Sequence, residues 1–228
     1  VIDFVKAEEV RTGRPIGIIP ETKHPTYFEY QGSYADGTPI GVDTSRVLID
    51  TLVREGFTDP ARVTIQSFEI ANLIELQRDI MPAAGVDVPL VQLLYNNYSP
   101  DVAFHLDPAN AALGADPTLF AGFEYPLTAS TVAEVGGGGL YSAEAIRAMA
   151  ALYAEAISPY KEDVYLSTPF ATPVEYDGDG VPLISARLTG AEVPLVSRAH
   201  DAGIEAVVYT LRDEEAFSFL NPDGTVQR

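Results

Sequence analysis

The chain has 228 residues, 46% of them hydrophobic and 21% charged, which is enough to bury a sizeable core. Its 33 acids against 14 Lys and Arg leave a formal charge of −19; with no basic stripe to offset that field, the charge argues against nucleic-acid binding through phosphate contacts. The absence of cysteine excludes disulfides, thiolate nucleophiles and cysteine-ligated metal sites.

No apolar run approaches the ~18 residues of a membrane-spanning helix, and no signal peptide is visible. The chain opens at Val1 inside a helical pattern, with Ile2, Val5 and Val10 apolar and Gly13 as its stop. Pro15 to Pro20 reads as a first strand and Tyr27 to Gly41 as a loop. Thr44 is placed to cap a helix through Glu55, with Val47, Leu48, Leu52 and Val53 as its buried stripe. Arg62 to Ser67 reads as a second strand, about Ile70 to Ile80 as a helix stopping before Pro82, and Val88 to Tyr95 as a third strand turned at Asn96-Asn97. Asn96 to Leu140 is long and irregular, a length that usually marks function or holds short helices. Ser142 caps a helix through about Glu155, and Ala156 to Pro159 reads as a very short strand. Val164 to Thr189 is irregular, with a hairpin at Asp177-Gly178-Asp179-Gly180; Ala191 to Ala202 is helical; Ile204 to Leu211 is the last strand, and the remainder trails away. Strands alternating with helices, with apolar β-branched runs buried on both faces, predict a parallel sheet with helical crossovers. Polar residues at the C-terminal strand ends then form the site.

The stretch Ile16 to Phe28 carries the chemistry. A short apolar run breaks at Pro20 and delivers Glu21, Lys23 and His24. Alternation along an extended chain places Glu21 and Lys23 on one side and His24 on the other. A carboxylate beside an ammonium suits a metal ion bound together with an anion; it equally suits a surface turn with an incidental ion pair. Elsewhere the signals are weaker. His105 and His200 have no partners spaced for a metal. The glycine run 136–139 lacks the Lys and Ser of a phosphate loop, Asp177-Gly-Asp-Gly180 lacks the following Glu of a calcium loop, and Asn97-Tyr-Ser99 is a weak glycosylation signal before Pro100.

Pro20-Glu-Thr-Lys-His-Pro-Thr-Tyr-Phe28 resembles the glycerophosphodiester phosphodiesterase family, in its periplasmic or secreted branch. Val63-Thr-Ile-Gln-Ser-Phe-Glu69, Val91-Gln-Leu-Leu94, Ala156-Ile-Ser-Pro159, Ala199-His-Asp-Ala-Gly203 and Val207-Val-Tyr-Thr-Leu-Arg212 continue the likeness in order. The resemblance implies a TIM-type (β/α)8 barrel that cleaves glycerophosphodiesters into an alcohol and glycerol 3-phosphate with a divalent cation, Ca2+ or Mg2+, in a periplasmic or secreted protein. It implies one barrel domain over residues 1–228, with insertions at about 96–140 and 164–190. Only the third to seventh strands of that barrel are expected here. The family's His-Arg-Gly strand, Glu-x-Asp pair and second catalytic His have no counterpart in this sequence, so missing segments or a companion chain would complete the barrel. Within the resemblance Glu21 is a metal ligand, Lys23 contacts phosphate, and Gln66 and Phe68 line the pocket. Tyr209 offers its ring to the glycerol carbons or is a core tyrosine. Arg212 reaches the phosphate or pairs with Asp213 or Glu215. The competing readings are a non-catalytic barrel-fold binding protein and a phospholipase D-like lyase that stops at a cyclic phosphate.

Overall fold

In a computed structural model of the chain, residues 1–95, 99–128, 139–212 and 214–227 are described. The Asn96-Asn97 turn, residues 136–138 of the glycine run, Asn97 of the glycosylation signal and Asp213 lie outside them. Helix α1 spans Ile2–Thr12 and ends at Gly13, whose left-handed backbone (φ 68) lets its N–H return to the Glu9 carbonyl. The next segment pairs parallel with the strand that follows it, through bridges Ile18 to Val63 and Glu21 to Gln66. Gly17 lets the two segments approach closely, since a Cβ would stand 3.1 Å from the Arg62 carbonyl oxygen, tighter than an ordinary contact. Tyr27–Gln31, expected as loop, forms a π-helical turn.

Helix α2 spans Thr44–Arg54, and its cap is Asp43, one residue before the expected Thr44; the Asp43 carboxylate accepts from the Arg46 N–H. Its buried face is Ser45, Ile49 and Leu52. Val47 and Val53 are 56% and 47% exposed, since they lie off the stripe that positions 45, 49 and 52 define at 3.6 residues per turn. Strand β1 (Ile65–Ser67) leads into α3 (Ile70–Glu75). The helical path does not stop before Pro82: it widens into a π turn at Leu76–Ile80 and continues as α4, Met81–Ala84. The wider i→i−5 turn relieves the lost donor and ring clash that proline brings.

Strand β2 (Leu90–Leu94) is buried throughout. Helix α5 (Pro100–Leu106) and short 3-10 turns follow, then α6 (Ala143–Leu152), capped by Ser142 as expected. Strand β3 is Ala156–Pro159, α7 is Lys161–Val164, and β4 (Tyr165–Val174) and β5 (Ile184–Glu192) form the antiparallel hairpin expected around Asp177 to Gly180, with longer strands than the irregular sequence suggested. Helix α8 (Leu195–Asp201) precedes β6 (Glu205–Ala206). The tail does not trail away: β7 (Phe219–Leu220) pairs parallel with β5 and antiparallel with β8 (Val226–Gln227).

The result is a mixed α/β fold. One sheet has the order β1-β2-β3-β6 and is parallel throughout. The second sheet, β4-β5-β7-β8, has its own small cluster of Ala186, Leu188 and Phe219. The main core lies between the parallel sheet and its helices and includes Ile65, Leu73, Leu90, Ile146, Ile157 and Leu195. The other face of the parallel sheet is open: Ile19, Gln66, Val91, Ser158 and Val207 line a cleft of about 310 Å³. No helix among the described residues is long and apolar enough to cross a membrane.

Candidate functional site

A cavity of about 260 Å³ lies at the C-terminal ends of the parallel strands. Its floor begins with the segment after Ile19. Backbone bonds from Gln66 N–H to the Pro20 carbonyl (3.0 Å) and from Thr22 N–H to the Gln66 carbonyl (3.1 Å) hold this segment beside β1. Side chains clamp it further. The Thr22 hydroxyl donates to Asn72 Oδ1 (2.7 Å), and the Ser67 hydroxyl donates to the Thr22 carbonyl (3.1 Å). The N–H and hydroxyl of Thr26 both donate to one oxygen of Glu69, at 2.9 and 2.6 Å.

This clamp presents Glu21 and Lys23 side by side. Lys23 Nζ lies 3.3 Å from Glu21 Oε2, with the carboxylate side chain 18% exposed and the lysine 71%. Both line the cavity, and so does His24. The alternation predicted from the sequence therefore ends at Lys23: His24 takes a left-handed backbone (φ 49), which turns the chain instead of extending it.

Phe68, one residue past β1, also lines the cavity. Gln66 does not: its backbone pairs with Glu21, while its side chain lines the cleft on the open sheet face. Tyr209 joins the site from the far edge of the sheet. Its ring lies 6.3 Å from Phe68, and its hydroxyl donates to the Leu94 carbonyl at 3.1 Å. Burial, then the nearby Asp163 and Glu21 carboxylates, hold that hydroxyl well above the ordinary tyrosine range. Arg212 does not reach the cavity; it pairs with Glu214 (3.4 Å) and lies over the Phe217 ring.

Two features go beyond the sequence reading, which had Tyr95 at a strand end but neither Tyr160 nor Glu69 at the site. Tyr95 and Tyr160 follow β2 and β3 directly and extend the row of rings: Tyr95 to Tyr160 is 5.4 Å and Tyr160 to Tyr209 is 5.7 Å. The signal was present, an aromatic residue just past the apolar runs, at Phe68, Tyr95 and Tyr160. The second is Glu69, almost fully buried at the cavity wall. Burial raises its carboxyl above the usual range, against the two bonds from Thr26 that favour the charged form. Behind it the fully buried Asp101 accepts from the Ala71 N–H and the Ser99 hydroxyl, both at 2.5 Å. Burial, and then the Glu69 charge, push Asp101 up to about 7.

The remaining histidines have structural surroundings or none at the site. His105 is buried among the Tyr30, Phe104 and Phe120 rings and accepts from the Asp116 N–H. His200 is exposed on α8. Asp177 and Asp179 sit at the hairpin turn, grouped with Glu175, all three exposed. That is the one cluster of three carboxylate or imidazole ligands among the described residues, and it does not include Glu21. At the cavity the carboxylates are Glu21 and Glu69, with one Glu69 oxygen already held by Thr26, an incomplete donor set for a cation that takes six or more oxygens. The chain's own residues there do not by themselves fit a divalent ion.

Fold and site together define an α/β protein with an acid–base pair and a ring wall at the C-terminal edge of a parallel sheet. Over 94 residues, 41% of the chain, the sequence is 32% identical to the glycerophosphodiester phosphodiesterase of Haemophilus influenzae (strain ATCC 51907 / DSM 11121 / KW20 / Rd). The matched stretch spans 23% of that protein's length. No family model matches the chain.

Proposed function

We propose that this chain carries the substrate-binding side of a phosphodiesterase that hydrolyses glycerophosphodiesters to an alcohol and glycerol 3-phosphate. The observation that carries the reading is the Glu21–Lys23 pair, 3.3 Å apart in a cavity at the strand ends. The named relative supports the same chemistry. Lys23 is the phosphate contact: its ammonium is exposed, and it offsets locally a field that would otherwise repel an anion. Glu21 is one ligand of a divalent cation, Ca2+ or Mg2+, with phosphate oxygens, water and groups beyond the described residues completing its shell. The Phe68 and Tyr209 rings cover the carbons of the bound ester. The clamp from Thr22 and Thr26 to Ser67, Glu69 and Asn72 holds Glu21 and Lys23 in place before substrate arrives. General acid and base belong to histidines outside the chain, and the reading includes a periplasmic or secreted setting.

The fold reading follows the same line. Parallel sheets are normally covered on both faces, yet here Ile19 and Val207 on the open face are 57% and 49% exposed. We propose that further parallel strands close this sheet into a TIM-type barrel, with the 310 Å³ cleft as part of its interior.

Isothermal titration of the chain with glycerol 3-phosphate in calcium tests the site. Glu21→Gln and Lys23→Met are each expected to weaken binding roughly ten-fold or more, the effect of removing a charged hydrogen-bond partner. Unchanged affinity in both variants would remove the pair from the site. In the complete protein, glycerol 3-phosphate release that persists in EDTA would overturn the metal dependence. Binding with no release would leave a non-catalytic binding role.

A further inference from the structure

Among the described residues His24 is the one non-glycine with a left-handed backbone (φ 49). It stands directly before Pro25, where the proline ring already restricts its neighbour to extended geometry. The fold holds this turn from both sides. Thr22 is tied to Asn72 and Ser67, Thr26 is tied to Glu69, and the Phe28 N–H returns to the His24 carbonyl at 3.2 Å. A sparsely populated backbone conformation persists only where its surroundings over-determine it in this way. Yet the His24 side chain is exposed and has no hydrogen-bond, ionic or ring partner among the described residues. The fold therefore gains nothing from the ring that a glycine or an asparagine at the same turn would not give.

What the turn does achieve is placement. It ends the alternation that would send His24 away from Lys23, and it sets the imidazole in the wall of the same cavity. Side-chain donors are few there. Glu21 and Glu69 are acids, and the Thr22 hydroxyl is given to Asn72. Lys23, His24 and the Tyr95 phenol at the end of β2 remain. Lys23 shares its ammonium with Glu21. A phosphate ester presents more oxygens than one shared ammonium serves, and each oxygen without a donor faces the field of two acids. An imidazole keeps an N–H donor in both its neutral and its charged form, so it serves an anion without a change of protonation.

We infer that His24 is a second phosphate-contacting residue beside Lys23, donating to an oxygen of the bound ester, and that the left-handed turn is the device that brings it there. The identity of the ligand rests on the phosphodiesterase reading; the strained placement of the ring does not.

Two substitutions separate the ring from the turn. Glycine adopts the left-handed backbone freely, and asparagine does so more readily than most residues; both remove the imidazole. His24→Gly and His24→Asn are expected to keep or raise the midpoint of urea unfolding. Each is expected to weaken glycerol 3-phosphate roughly five-fold in isothermal titration with calcium, the size of an exposed hydrogen bond to a charged group. Full affinity in His24→Asn confines His24 to the turn and overturns the inference. A lower unfolding midpoint in both variants does the same, by making the ring a folding contact. Methyl phosphate, which keeps the phosphate and lacks the glycerol, is titrated in parallel. An equal fold-loss places the contact on the phosphate; a loss confined to glycerol 3-phosphate overturns it. In proton NMR the His24 ring resonance, assigned by its disappearance in His24→Asn, is expected to move as glycerol 3-phosphate saturates the chain, and a resonance that stays fixed counts against contact. Lys23→Met distinguishes this inference from the reading beneath it. Affinity lost in Lys23→Met but kept in the His24 variants removes His24 alone. Affinity unchanged in both Lys23→Met and Glu21→Gln, or no binding to the unsubstituted chain, removes the phosphodiesterase reading and His24 with it.

Discussion

Thr26 shows how much of the site rests on residues that touch no ligand. Both of its donors end on one oxygen of a buried carboxylate. Thr26→Val leaves Glu69 short of a partner in a place where water does not compensate, at a cost of about 1–3 kcal/mol. The expected outcome is a lower midpoint in urea unfolding together with weaker binding of glycerol 3-phosphate. A stability loss with unchanged affinity would confine Thr26 to folding. Glu21 and Lys23 were legible as a pair from their spacing alone, because an extended chain alternates its side chains. Glu69 was not, because nothing local distinguishes a helix-start glutamate that faces solvent from one that faces Thr26 across 43 residues.

At the scale of the element, helix α2 separates what patterning can and cannot give. Its existence and extent follow from the apolar spacing, but the residue that caps it is Asp43 and not the expected Thr44. Which stripe is buried depends on the neighbours it docks against, α4 and the π turn before it. Leu52→Ala is expected to destabilise the fold by about 2–5 kcal/mol. Val47→Ala, on the exposed side, is expected to change stability by less than about 0.5 kcal/mol. Thermal unfolding of the two variants checks the assignment, and similar losses in both would contradict the buried face described here. The hairpin of β4 and β5 was legible at its turn, but the length of its strands was not. Prolines at 169 and 173 and scattered polar residues hide a ten-residue strand, which is stabilised by its partner β5, itself paired on its other edge with β7.

Over the whole molecule the buried acids set a pH dependence. Asp101 is pushed up to about 7 by burial and by Glu69, and Glu75 to about 7 by burial and by Glu29 and Asp43. Both stand above their values in an unfolded chain, so folding takes up protons between about pH 4 and 7. The stabilisation is complete below the unfolded values and is lost as pH rises through 7. Acidifying from pH 8 to pH 5 is therefore expected to raise stability on the order of 2 kcal/mol for each of the two groups. Asp101→Asn is expected to flatten the slope, with denaturant midpoints across pH as the measurement. Relief of self-repulsion in a chain of charge −19 acts in the same direction, so the variant, not the slope alone, identifies the groups.

Chain-local physics determined a good deal here. Apolar periodicity marked helices α1, α2, α6 and α8 and the cores of β1, β2 and β3, and the break at Pro20 marked where an acid and a base emerge. Those features depend on the nearest few residues, through steric limits on the backbone and the period of each element. Only the tertiary structure decided which strand ends meet. It brought Phe68, Tyr95, Tyr160 and Tyr209 into one row, sent Gln66 to a different cleft from Glu21, and joined the last strands to the β5 edge. The reason is that sheet order and register are fixed by burial and hydrogen bonds between segments far apart in the chain, and no local pattern encodes that partnership.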